Sequence, residues 1–243
     1  MSLDASVCVV SGGSSGIGRA LALALAREGG HVWAIGRSRN RLDSLVAEAR
    51  ENGSAINPVV ADLEQPADLE TIVREVLSAN DRVDLLVHAA GALRLGDLES
   101  LSAVDIDRQF LVNLRAPMLL TQMLLPALRR ARGQIVFMNS LAAEYASANN
   151  AVYAATKAGL KTFADGLRDG VNSDGVRVIT VHTGRTATPL QEEMHRFEKR
   201  PYRAELLLQP QDVTDLVLAS LSLPRSGEVT DVRLRPMVKL PPV

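Results

Sequence analysis

At 243 residues, 47% hydrophobic and 23% charged, the chain has globular composition and enough apolar material for the core of one large domain. Its 27 basic and 28 acidic side chains nearly cancel, which argues against a nucleic-acid surface, because phosphate binding needs a broad basic face. A single cysteine, Cys8, cannot form an internal disulfide, and MSLDASVCVV lacks the basic start and cleavage site of a secretory signal, so a cytoplasmic protein is expected.

Short β-branched runs alternate with longer helical patterns. VCVVS (7–11) precedes a helix over 17–30, HVWAI (31–35) one over 40–53, and INPVVA (56–61) one over 68–79. VDLLVHAAG (83–91) leads into a long helical stretch from about 103 to 131. Its greasiest part, PMLLTQMLLPAL, is broken by Thr121, Gln122 and two prolines and reads as too short to span a bilayer, so no membrane is expected. GQIVFMNS (133–140) precedes a helix over 151–172, and GVRVITVH (175–182) an irregular segment. A last helix near 211–222 leads to GEVTDVRLRP. Most strand runs are continuously apolar, so both sheet faces are expected to be covered. The pattern is that of an α/β fold, a doubly wound parallel β-sheet flanked by helices. No repeat or linker interrupts it, so a single domain over 1–243 is expected. The segment 184–210 is too long for an ordinary connection and reads as a substrate lid.

SGGSSGIG (11–18) joins the first strand to the first helix. Gly12 and Gly13 can adopt positive φ, Gly16 and Gly18 allow close backbone approach, and a helix N-terminus suits a pyrophosphate. The spacing is G-x-x-x-G-x-G and misses the G-x-G-x-x-G fingerprint, so a tight turn capped by Ser14 or Ser15 is the plain alternative. After the second strand, AIGRSRNR carries Arg37, Arg39 and Arg41, while residues 29–42 contain no Asp or Glu. Dinucleotide folds that use NAD place an acid there, whereas a guanidinium is the natural partner of a 2′-phosphate. Arg37 is the candidate; Arg39 and Arg41 are expected to point elsewhere, although either could assist.

Tyr153 and Lys157 lie four apart on a helix and share a face. A nearby ammonium favours the phenolate, moving the tyrosine pKa down from near 10. Ser140, ending the fifth strand, can hydrogen-bond a substrate oxygen as charge develops on it. Pro117, four residues after Asn113, removes the helical donor of the Asn113 carbonyl.

SGGSSGIG resembles the Thr-Gly-x-x-x-Gly-x-Gly motif of the short-chain dehydrogenase/reductase family, with Ser11 in place of the threonine. Further matches follow in the family's order: DL at 62–63, HAAG at 88–91, VN at 112–113, Ser140, and YAATK at 153–157. The resemblance implies a Rossmann-type domain, a nicotinamide cofactor and a catalytic set of Asn113, Ser140, Tyr153 and Lys157. Tyr153 would be the general acid/base. Lys157 would lower its pKa and hold the nicotinamide ribose, and Ser140 would position the substrate. Asn113 would hold a water in a proton relay, through a carbonyl opened by Pro117. Cofactor contacts are expected from Gly12, Ser14, Ser15, Gly16, Ile17 and Gly18, and from Arg37 with Ser38 on the 2′-phosphate of NADP. Asp62 and Leu63 would meet the adenine; Ala89, Ala90, Gly91, Thr186 and Thr188 complete the set, and no metal is assigned.

Two departures stand out. HAAG replaces the family's Asn-Asn-Ala-Gly, and Thr183-Gly184 replaces its Pro-Gly. His88 reads as a hydrogen-bonded core residue and His182 as a packed strand end. The expected function is NADP-dependent hydride transfer on a small carbonyl/alcohol substrate. The alternatives are an NAD-preferring hydroxy-acid or sugar dehydrogenase, or a catalytically silent dinucleotide-binding regulator. Leu93, Arg94, Leu141, Glu144, Tyr145 and the lid residues 189–208 are the candidate substrate lining. A homodimer or homotetramer built on the helices carrying Asn113 and Tyr153 is expected.

Overall fold

Among the described residues, seven strands form: β1 (Val7–Ser11), β2 (His31–Gly36), β3 (Ile56–Val60), β4 (Leu85–His88), β5 (Gln134–Ser140), β6 (Arg177–Thr183) and β7 (Asp231–Leu234). The computed structural model describes residues 3–238; residues 1–2 and 239–243 of the expected domain lie outside the described residues. All pairings are parallel, in the order β3-β2-β1-β4-β5-β6-β7. Between them run α1 (Gly16–Arg27), α2 (Arg39–Glu51), α3 (Pro66–Ala79), α4 (Ala103–Phe110), α5 (Ala116–Ala131), α6 (Ala151–Val171), α7 (Pro189–Phe197) and α8 (Pro210–Ser222). This is the expected single-domain, doubly wound α/β fold.

Alternate residues of β1 feed two separate cores. Val7 and Val9 pack with Leu69 of α3, Leu120 of α5 and Leu160 of α6, whereas Cys8 and Val10 pack with Leu21 of α1, Leu42 of α2 and Val217 of α8. Helices cover both faces, so neither set of alternating residues can be polar, and the strand reads as one apolar run. The sheet edges differ. β3 contains Pro58, whose missing N–H is tolerated only where no second strand pairs, and β7 alternates exposed with half-buried residues. Burial pushes the Cys8 thiol up to about 12, with nearby Asp84 adding to it, which leaves it a core hydrophobe. The strand order reverses between β1 and β4, which opens a crevice at their carboxyl ends.

The helical stretch 103–131 is not one regular helix. A wide turn, Leu111–Arg115, separates α4 from α5, and the Ala116 N–H donates to the Leu111 carbonyl five residues back. The continuous run Ala103–Ala131 is, by length and composition, apolar enough to cross a membrane, which the shorter greasy segment alone did not suggest. Half of its apolar window is buried inside the fold, and Leu120, Leu124 and Leu128 belong to the core.

Thr121, which interrupts that apolar run, has a partner. Its Oγ1 lies 2.8 Å from His88 Nε2, and the His88 ring stacks on Phe137 at 4.9 Å. Burial, helped by the charge of Lys157, lowers the His88 pKa from 6.5 to about 3. As pH falls below 6.5 the unfolded chain binds this proton and the folded chain does not, so the fold loses up to about 1.4 kcal/mol per pH unit from His88. Denaturant titrations should show that slope in the wild type, and a shallower one in His88→Asn. Equal slopes would remove His88 as its source.

Candidate active site

After β1 the chain turns through Gly12 at φ +70°, where a Cβ would stand 2.6 Å from the Ala90 amide nitrogen. A Cβ on Gly18 would lie 2.3 Å from the Gly12 carbonyl oxygen. These two glycines let the turn and α1 close against the HAAG segment. Ser15 is the N-cap residue of α1 but makes no side-chain cap bond, so the first-turn N–H groups keep their positive end for another acceptor. A cavity of about 1070 Å³ runs from Arg37 and Asp62, past this turn, to Tyr153 and α7. Ser14, Gly16 and Ile17 line it with Gly12 and Ser15; Gly18 does not, and serves by packing against Gly12.

At one end the cavity is bordered by Arg37, Ser38 and Arg41, with Asp62 and Leu63 across from them. Ser38 caps α2 by accepting a hydrogen bond from the Arg41 N–H (3.4 Å), which starts the helix at Arg39. Of the two further arginines that could assist, Arg41 lines the cavity and Arg39 is absent from that wall. Arg37 Nη1 approaches Glu64 Oε1 at 3.3 Å, and Arg108 Nε approaches the same oxygen at 3.0 Å. Arg108, on α4, also lines the cavity and was not among the residues read from the sequence.

Tyr153, Ser140 and Lys157 meet at mid-cavity, beside Ala89, Ala90 and Gly91. Ser140 Oγ accepts from the Ala142 N–H at 3.1 Å and hydrogen-bonds the Tyr153 phenol. Lys157 is 4% exposed; its Nζ donates to the Met138 carbonyl at 3.0 Å and lies 5.8 Å from the Tyr153 ring centroid. Burial pushes Tyr153 up to about 12, with the Ser140 hydrogen bond opposing it, and burial lowers Lys157 to about 8. The expected downward shift of the tyrosine is therefore absent in the free protein, where desolvation outweighs the Ser140 hydrogen bond.

Asn113 is fully buried and does not line the cavity. Its Oδ1 accepts from the Ala92 N–H (2.7 Å), and its Nδ2 donates to the Ala92 carbonyl (2.8 Å) and to Thr156 Oγ1 (3.1 Å). It thus ties the loop after β4 to α6, one residue before Lys157. Asn113→Ala leaves both Ala92 backbone groups unpaired and should cost about 3 kcal/mol in denaturant unfolding. An unchanged stability would show that the clamp contributes nothing to the fold.

At the far end, Leu93, Leu141 and Tyr145 line the cavity with Leu190 and Met194 of α7. Arg94 and Glu144, expected there, do not: Arg94 lies 3.9 Å from Asp105, and Glu144 pairs with Arg233. Arg185 does line it, but its guanidinium is forked onto Glu198 at 2.6 and 2.8 Å. The segment 184–210 is held at its base, where the Ala187 N–H donates to the Leu208 carbonyl (2.7 Å) and the Leu208 N–H to the Arg185 carbonyl (3.1 Å). Gln191 and Arg200 of this segment face the cavity, whereas Phe197 and Tyr202 do not. Thr186 and Thr188 both line it; the Thr186 hydroxyl donates to the Gly184 carbonyl, and Thr188 Oγ1 caps α7.

Residues 6–199 match the family profile described as short chain dehydrogenase. The chain belongs to that family. It is 35% identical over 235 residues to an uncharacterized short-chain type dehydrogenase/reductase of Sinorhizobium fredii, covering 95% of this chain and 91% of the relative. It is 33% identical over 227 residues to the 3-oxoacyl-(acyl-carrier-protein) reductase FabG of Thermotoga maritima, covering 90% and 91%. A crystal structure of a metagenomic short-chain oxidoreductase in complex with NADP superposes with a TM-score of 0.85 at 28% identity, covering 98% of this chain and 100% of that one.

In this short-chain dehydrogenase the departures from the family pattern have local explanations. His88 stands where an asparagine is usual and pairs inward with Thr121 rather than toward the cavity. His182 is fully buried, its Nε2 3.0 Å from Asp231 Oδ1 and its Nδ1 3.4 Å from the Ser140 carbonyl oxygen, as a packed strand end. Thr183 replaces proline, and its hydroxyl donates to the Asn139 carbonyl at 3.2 Å, tying β6 to the end of β5.

Proposed function

We propose that this short-chain dehydrogenase is an NADP-dependent oxidoreductase acting on a small carbonyl/alcohol pair. The carrying observation is that the Tyr153 phenol, the Ser140 hydroxyl and the Lys157 ammonium meet at mid-cavity, between the glycine turn and α7. The residues fit a phosphorylated dinucleotide: an uncapped α1 N-terminus suits a pyrophosphate, and Arg37 and Arg41 border the end where a 2′-phosphate would lie. When bound, the nicotinamide supplies or accepts the hydride. Asp62 and Leu63 take the adenine end, the Ala89–Gly91 backbone the centre, and Thr186 and Thr188 the nicotinamide end.

In reduction, Tyr153 donates its proton to the substrate oxygen. Burial keeps the free-enzyme phenol protonated, the form this step consumes. Ser140 holds the same oxygen by hydrogen bond as negative charge develops on it. Lys157, itself held by the Met138 carbonyl, stabilises the phenolate left behind. Asn113 and Pro117 keep open the backbone route by which a water returns the proton. Segment 184–210 covers the substrate, whose apolar side meets Leu93, Leu141 and Met194. We place the protein in the cytoplasm as a homodimer or homotetramer.

The test is a panel of carbonyl compounds offered with NADPH and with NADH, alongside calorimetric titration of both cofactors. NADPH-dependent reduction of at least one compound supports the reading. Faster turnover with NADH would favour an NAD-preferring sugar or hydroxy-acid dehydrogenase. Cofactor binding with no turnover on any compound would favour a silent regulator.

A further inference from the structure

Arg37 and Arg108 come from distant parts of the chain, the end of β2 and the helix α4, yet aim at one point. Arg37 Nη1 lies 3.3 Å and Arg108 Nε 3.0 Å from the same atom, Glu64 Oε1. Both arginines line the cavity, and Glu64 does not. A single carboxylate oxygen therefore marks where two guanidiniums converge at the cavity rim. Their side chains are 56% and 45% exposed, so N–H donors remain for a second anion on the cavity side. Arg41 lines the same cavity, so three guanidiniums border it while only one carboxylate, Glu64, pairs with two of them. A net positive cluster of planar forks is what a phosphate monoester dianion requires.

We infer that Arg108 is a second guanidinium of the 2′-phosphate site, sharing that anion with Arg37. The inference rests on the NADP reading above. Arg108 then decides cofactor choice from α4, the helix that leads directly into the wide turn holding Asn113. Glu64 keeps the two forks together from behind.

Calorimetric titration of the full chain with NADP⁺ and with NAD⁺ tests this without any need for turnover. Arg108→Gln should weaken NADP⁺ binding about tenfold, the loss of one charge-assisted contact, and leave NAD⁺ binding unchanged. A parallel loss of both cofactors would make Arg108 an adenine or structural contact and overturn the inference. No change in either would overturn it equally. A role exerted only through Glu64 is separated by the double variant: in a Glu64→Gln background, Arg108→Gln should still cost NADP⁺ about tenfold. If that loss vanishes, Arg108 merely steers Arg37. A wild type with equal affinity for the two cofactors would overturn the NADP reading together with this one. A wild-type preference for NADP⁺ that Arg108→Gln leaves intact would overturn this one alone.

Discussion

Tyr153→Phe should lower carbonyl reduction by ~10²–10⁴, the usual worth of a positioned general acid, while calorimetric NADP⁺ binding stays intact. The reason is local. The ring still fills its place over Lys157, 5.8 Å from Nζ, so only the phenolic proton and its bond to Ser140 are lost. The pH profile of the wild type follows from the same geometry. Tyr153 is protonated to about 12 in the free protein, and Lys157 releases its proton near 8. Reduction measured as kcat/KM should therefore hold level through neutral pH and fall above about 8, as the ammonium that stabilises the phenolate is lost. A Tyr153→Phe enzyme with near wild-type turnover would mean that the proton comes from elsewhere.

Arg37→Asp should lower the NADPH-over-NADH ratio of kcat/KM by ~10²–10³, by deleting a charge-assisted bond and setting a carboxylate against the 2′-phosphate. Arg37 borders the cavity with more than half of its side chain exposed, so the substitution leaves the core untouched. Its pair with Glu64 is a half-exposed contact at 3.3 Å and contributes little to stability. The expected signature is a changed ratio at unchanged denaturant midpoint. A ratio that does not move would remove Arg37 from the phosphate site.

How much of this was legible in the sequence follows from what each feature depends on. The strands were readable because both sheet faces are covered, so each strand carries an uninterrupted apolar run such as VCVVS or GQIVFMNS. The glycine turn was readable because Gly12 and Gly18 answer to backbone contacts that lie next to them in the chain or at the adjacent strand end. Tyr153, Lys157 and Ser140 were readable because helix periodicity and a strand end bring them together.

The wide turn at 111–115 was not legible, since extra backbone width carries no residue signature of its own, and the stretch 103–131 read as one helix. Arg94 and Glu144 misled because a charged side chain beside a cavity is claimed by its nearest opposite charge, here Asp105 and Arg233. The same physics hid Arg108: its meeting with Arg37 depends on how α4 packs beside the loop after β3, which no local pattern encodes. Arg41 turned on a single hydrogen bond, the Ser38 cap that fixes where α2 begins.

The most direct test of hydride transfer governed by Tyr153 is a label-transfer measurement. NADPH carrying deuterium at its transferring carbon is incubated with the carbonyl panel, and the alcohol products are analysed by mass spectrometry. Deuterium bound to the carbinol carbon of a product with the wild type, formed ~10²–10⁴ more slowly with Tyr153→Phe, is the predicted result. Deuterium retained on the cofactor with every compound, by a protein that binds NADPH tightly, would contradict the account.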